Sequence, residues 1–173
     1  MVGMKRLFFC CFMLLCSFVV YAQSSICGVL FGETYTESKR ILEDKWGRPS
    51  LEYNNEIWYF DRTYANLYFK SICFAFQYDG YRYYMNRCSM CRFFNTYSLA
   101  CTFRDNIISK LKEKYSDVET YTDKNHYLAA HGGTSPTNSN EYGFSVFIVH
   151  DSYEGLYYVY IDYGPYDYVK EEF

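Results

Sequence analysis

Cys88-Ser89-Met90-Cys91 is the stretch of this chain whose residue types and spacing most suggest chemistry. A C-x-x-C pair exchanges thiol and disulfide when a helix N-terminus or a nearby cation lowers the pKa of one sulfur. Here the flanking residues, 81–95, read as a strand, where positions three apart face opposite sides. A zinc half-site would need a second ligand pair at suitable spacing, and the chain holds no other C-x-x-C and no H-x-x-x-H. Cys88 and Cys91 are therefore expected to be structural thiols or disulfide partners. A thiol-based redox factor centred on them is an alternative reading.

The other reactive side chains are scattered. His126, His131 and His150 could meet Asp123 or Asp151 around a metal only if the fold brought them together, because no H-E-x-x-H signature joins them. Glu52, Glu56 and Asp61 are carboxylates of the type that glycosidases pair. Solvated strand edges and turns account for them better. No G-x-S-x-G nucleophile elbow and no glycine-rich phosphate loop is present. The expectation is a protein with no catalytic residues, no metal and no cofactor, with a small secreted hydrolase as the competing class.

Aromatic side chains are the positive signal. The chain has 22 Tyr and 15 Phe, and "EIWYFDRTYANLYF", "YDGYRYY" and "GLYYVYIDYGPYDY" concentrate them in strand-like segments. Period-two alternation sends one set to a core and the other outward. Outward Tyr and Trp give rigid, amphipathic contact area suited to a protein or glycan partner. Trp58, Tyr59, Tyr83 and Tyr84 are the expected contact residues.

Residues 1–22 carry Lys5 and Arg6, then an apolar run from Leu7 to Val20 that ends in Val20-Tyr21-Ala22. That is the pattern of a cleaved signal peptide, with Gln23 as the new N-terminus. Neither Cys16 nor Cys27 follows a small residue, so lipidation is not expected. Cleavage places the protein in the periplasm or outside the cell. It also takes 17 basic residues to 15 against 20 acidic ones, a net −5. Basic residues scattered singly in an acidic chain leave no footprint for nucleic acid. No later stretch has membrane-spanning length. Five cysteines remain (Cys27, Cys73, Cys88, Cys91 and Cys101), an odd number whose pairing the sequence does not choose.

These features need a frame to position them. "GETYTESKRILEDKWGRP", 32–49, reads as one capped helix: Thr34 and Glu37 as a capping box, Ile41, Leu42 and Trp46 on one face, Gly47 and Pro49 as the stop. A second helix runs from near Ser98 to Tyr115, with Leu99, Phe103, Ile107, Ile108, Leu111 and Tyr115 as its stripe. Strands are expected at 56–61, 66–78, 81–95, 118–121, 142–150 and 156–163, with Asp79-Gly80 as a two-residue hairpin turn. "HGGTSPTNSN", 131–140, reads as an exposed mobile loop. The expected fold is α+β: one domain at 23–173, built from two helix-plus-antiparallel-sheet units (α-β-β-β repeated). The units lie near 29–96 and 97–164, their helices pack on one sheet face, and a tail follows at 165–173.

Gly32, the short capped helix and Trp46-Gly47-Arg48-Pro49 leading into antiparallel strands resemble the repeat unit of small secreted α+β proteins. The β-lactamase-inhibitor-protein fold and the BamE/SmpA-type outer-membrane assembly lipoproteins share that unit. The Tyr-, Phe- and Asn-rich texture is similar to exported proteins of gut Bacteroidetes. The resemblance implies a protein-binding scaffold, not an enzyme, which agrees with the residue-level expectation of a non-enzymatic binding protein using a Tyr-rich sheet face.

Overall fold

The computed structural model describes residues 24–138 and 140–167. The expected signal segment and the end of the expected tail lie outside them. Local capping chemistry sets the two helices. Helix α1 (Tyr35–Trp46) starts where the Thr34 hydroxyl accepts the Glu37 N–H, and it stops at Gly47, φ +76°, whose N–H donates to the Glu43 carbonyl. The capping box is only half formed. The Glu37 carboxylate turns to Arg40, and Glu33 accepts the Thr34 N–H instead. Helix α2 (Tyr97–Lys114) is capped by Thr96, and it buries Ala100, Phe103, Arg104, Ile107, Ile108 and Leu111. Leu99, expected in that stripe, is exposed. Arg104 takes the inward position and ties the helix to the sheet through the Leu128 carbonyl at 3.2 Å.

Strands dominate everything else. A ribbon of β1 (Ser25–Ile26) and β2 (Val29–Leu30) precedes α1. Then follow β3 (Leu51–Tyr53), β4 (Glu56–Tyr64), β5 (Leu67–Tyr78) and β6 (Tyr83–Phe94). After α2 come β7 (Glu119–Thr122), β8 (Leu128–Thr134), β9 (Tyr142–Asp151) and β10 (Leu156–Tyr163). All eight from β3 onward form one antiparallel sheet in the order β3-β4-β5-β6-β10-β9-β8-β7. The expected α+β pair of helix-plus-three-strand units is thus overturned. The described chain is mostly β, each helix is followed by four strands, and β6 pairs with β10 so that a single sheet runs through the molecule.

Tight turns carry much of this topology. Asn54-Asn55 joins β3 to β4 and Ala65-Asn66 joins β4 to β5, all four residues at positive φ, as mirror-type hairpin turns require. The turn at Asp79 is longer than expected. It spans 79–82, and the Asp79 carboxylate accepts the N–H groups of Tyr81 and Arg82 at 2.9 Å each. The expected loop at 131–140 is strand for its first part. His131, Gly132, Gly133 and Thr134 belong to β8, which pairs with β7 and β9, and the backbone at Asp117 and Val118 passes close to Gly132. A Cβ on Gly132 would stand 2.9 Å from the Val118 Cα.

Facing rows across the strands define two surfaces. Ile57, Phe74, Cys88, Tyr163 and Phe144 form one row, and Tyr59, Ile72, Met90, Ile161, Val146 and Ala130 form the next. Every one of these side chains is buried under the helices and the β1–β2 ribbon. Trp46 packs edge-on to Tyr59 at 5.2 Å, Tyr35 to Phe76 at 4.9 Å, and Phe103 to Phe69 at 5.8 Å. Burial of each large apolar side chain contributes about 1.5–3 kcal/mol, so this layer is the core.

Gly132→Ala should lower unfolding stability by about 1–3 kcal/mol, since the new methyl meets backbone that must shift. Ala65→Asn should raise it by about 0.5 kcal/mol, because Asn tolerates the positive φ better. Urea titration of both variants checks the pair of signs.

Candidate functional site

The other face of the sheet is built from the alternate residues of the same strands. Register places Leu51, Trp58, Cys73, Ser89, Asp162, Ser145, His131 and Glu119 in one row across all eight strands. Beside it stand Phe60, Ser71, Cys91, Tyr160 and Phe147, with Tyr121 at the far edge. Phe93, Tyr158 and Val149 make a third row. No helix among the described residues covers this face. Phe60 is 38% exposed, Phe93 39% and Val149 40%, although all lie within strands of the sheet. From Phe60 to Tyr121 the surface crosses seven strands, roughly 29 Å at ordinary strand spacing.

Ring contacts run through it. Phe147 and Tyr160 lie 5.4 Å apart at 20°, Tyr158 and Tyr160 6.3 Å apart at 21°, and Phe93 sits 5.7 Å from Tyr158. Trp58 touches Phe60 at 6.2 Å and donates its indole N–H to Glu56 at 2.9 Å. The polar row is internally matched. Asp162, its side chain 13% exposed, binds Arg87 at 3.0 Å and accepts the Ser89 hydroxyl. Near β7, His131 is sandwiched between Tyr142 at 3.6 Å and Tyr121 at 4.9 Å, with Glu119 at 3.3 Å.

The four expected contact residues divide. Trp58 stands on the open face and Tyr83 is 40% exposed against Tyr78 at the β5–β6 hairpin end. Tyr59 is fully buried against Trp46, and Tyr84 is buried where Thr34 bridges to it, so neither presents surface to a partner. Trp58 and Tyr59 are consecutive in a strand, and the pleat allows only one of them outward. Phe60, Phe93 and Phe147 also stand on this face without having been expected there, as do Tyr158 and Tyr160 of the aromatic stretch "GLYYVYIDYGPYDY". The i, i+2 relation of Trp58 to Phe60, and of Tyr158 to Tyr160, was the available signal.

Cys88 lies in the helix-side rows and Cys91 in the open-face rows, so their sulfurs point away from each other across the sheet. All five described cysteines are free. Burial pushes Cys27 and Cys73 up to about 12, Lys45 partly offsetting it at Cys27, and it pushes Cys88 well above the ordinary thiol value. Burial also takes Cys91 to about 11, despite a hydrogen bond with Tyr160 that works the other way. Protonated, enclosed thiols are poor nucleophiles. The carboxylates are equally committed: Lys39 holds Glu52, and Lys70 holds Asp61, below the usual carboxylate range. Groups so held are poor general acids. His126 sits in a turn and His150 stacks on Tyr157 at 4.4 Å. Among the described residues no group of three His, Cys, Asp or Glu side chains could hold a metal ion, and no helix is long and apolar enough to cross a membrane.

No protein family, curated protein or solved structure matches the chain.

Native protein treated with iodoacetamide at pH 8 should be alkylated first at Cys101, which is half-buried, with Cys27, Cys73, Cys88 and Cys91 lagging by at least about tenfold. Peptide mass spectrometry over a time course checks the order, and urea should bring all five to a common rate.

Proposed function

We propose that this chain is an exported, non-enzymatic binding protein that engages a protein or glycan partner through the open aromatic face of its sheet. The observation that carries the reading is the uncovered face itself: Phe60, Tyr160, Phe147 and Tyr121 stand in one row and Phe93, Tyr158 and Val149 in another, with no helix among the described residues over them. Aromatic side chains gathered on an exposed sheet face mark an interaction surface more often than chance exposure does. Trp and Tyr, the residues that most often dominate binding energy, are present in the central rows. The resemblance of the 32–49 helix unit to secreted binding scaffolds points the same way. The contact set follows the pleat: Trp58, Phe60, Phe93, Phe147, Tyr158 and Tyr160.

The tagged mature chain, purified from its native envelope and medium, should retain a stoichiometric partner. Phe60→Ala combined with Tyr158→Ala should weaken that complex by at least about tenfold, as truncation of two central aromatics does. The melting temperature should stay close to that of the parent. Tyr153→Ala, at the 97% exposed tip of the β9–β10 turn, should leave binding unchanged. Retention of the partner by the double variant would sink the proposal.

A further inference from the structure

Across the open face, side-chain size changes strand by strand. Trp58 and Phe60 stand on β4, Ser71 and Cys73 on β5, Ser89 and Cys91 on β6, and Asp162 and Tyr160 on β10. Large side chains on β4 and β10 therefore flank two strands of small ones, the flanking strands being roughly 14 Å apart at ordinary strand spacing. Cys73 and Cys91 are nearly covered, so what a ligand meets in this furrow is rings and hydroxyls.

Charge sits at the middle of this face. Arg87 on β6 and Asp162 on β10 pair at 3.0 Å, on the two central strands of the eight. Protein–protein interfaces are arranged the other way, with an apolar centre and a polar rim. A partner that dried this pair without new hydrogen bonds would leave charged groups under-satisfied, at a cost in affinity. One oxygen of Asp162 accepts from Ser89 and the other from Arg87, whereas a carboxylate can accept about four hydrogen bonds in all. Sugar hydroxyls donate and accept at such positions, and the C–H faces of a sugar ring stack on the negative faces of aromatic rings. Glu56, Glu119 and Asp162 stand on this face with Arg87, so the balance of fixed charge is against an acidic chain.

We infer that the partner of the open face is an uncharged glycan several sugar residues long, its C–H faces on Trp58, Phe60 and Tyr160 and its hydroxyls at Ser89, Asp162 and Arg87. The inference rests on the reading of this face as the binding surface and names the chemistry of what binds. The furrow engages one part of the chain, and the rings of the same row out to Tyr121 engage its continuation across the strands.

NMR of the mature chain titrated with cellohexaose, maltohexaose, mannohexaose and hexagalacturonate tests the assignment. At least one neutral sugar should shift the Trp58 indole N–H and the amides of Ser89 and Tyr160. The Trp46 indole N–H, packed against Tyr59 on the helix side, should stay in place. Hexagalacturonate should bind at least about tenfold more weakly. Trp58→Ala and Asp162→Asn should each weaken the neutral sugar by at least about tenfold, with melting temperatures reporting that the variants fold. Trp58→Ala decides the point if Asp162→Asn does not fold. The inference is overturned if no neutral sugar moves the Trp58 signal, if hexagalacturonate binds as tightly, or if the folded variants keep their affinity. Periodate, which cleaves the vicinal diols of sugars, separates this inference from the reading beneath it. A partner captured equally well from periodate-treated envelope, yet lost on Phe60→Ala with Tyr158→Ala, is a protein: the glycan is then overturned and the binding face stands.

Discussion

The pairing of β6 with β10 is the constraint on which the rest of the structure depends. Seven consecutive residue pairs, Cys88 to Phe94 against Tyr163 to Tyr157, join the strands that follow α1 to those that follow α2. Partners across an antiparallel pair share a face, so this one register aligns the surfaces of all eight strands. Cys88 with Tyr163 and Met90 with Ile161 fall under the helices, while Ser89 with Asp162 and Cys91 with Tyr160 fall on the open side. A slip of one residue would send Ile161 and Tyr163 to solvent and Asp162 into the apolar layer. Asp162 marks the register chemically as well, because Arg87 and Ser89 stand where its carboxylate needs them only in the observed alignment.

That register divides the work between the faces, and the sheet edges reinforce the division. The edge strands β3 and β7 are only three and four residues long, which limits the unpaired backbone available for another strand to join. The edges are thereby poor templates for strand addition, and the open face is left as the broad exposed surface of the sheet. Charges there are largely matched from within: Asp162 by Arg87, and Glu119 beside His131. The face offers apolar area and hydroxyls with little net field, so complementarity of shape carries more of any recognition than long-range attraction.

What was legible in the sequence is what local chemistry decides. Thr34 and Gly47 bound α1 because a cap and a left-handed stop need only neighbours in the chain. The opposed directions of Cys88 and Cys91 follow from the pleat alone. What was not legible depends on partners distant in sequence. Gly132 and Gly133 look like loop residues, yet they serve a strand that the backbone near Val118 approaches closely. Ala65, at φ +50°, turns a hairpin that its residue type does not announce. Leu99 yields its inward place to Ala100 and Arg104 because the sheet, not the helix, decides which stripe is covered. At the candidate site the aromatic texture was readable, but which ring of each neighbouring pair faces outward was settled only by strand pairing. On that account Tyr59 and Tyr84, expected outward, are buried, and Phe60 is exposed.

Tilted ring pairs occur on both sides of the sheet, and the extremes of angle differ with the surroundings. Under the helices Phe94 with Phe103 is tilted at 48°, while the steepest pairs are Phe31 with Tyr166 at 90° and Phe69 with Phe103 at 70°. Such edge-to-face contacts place the positive rim of one ring on the negative face of another. On the open face, side chains can lean only against neighbours along or across the strands. There Phe147 with Tyr160, Tyr158 with Tyr160, and His131 between Tyr121 and Tyr142 lie close to parallel, while Phe93 with Tyr158 at 54° and Trp58 with Phe60 at 42° are tilted. Near-parallel side chains standing on a sheet make ridges with shallow furrows between them. The neighbouring row of Ser89, Asp162 and Ser145 lies one step along the strands, so the ridges are flanked by hydroxyls and by a carboxylate already held in place by Arg87 and Ser89.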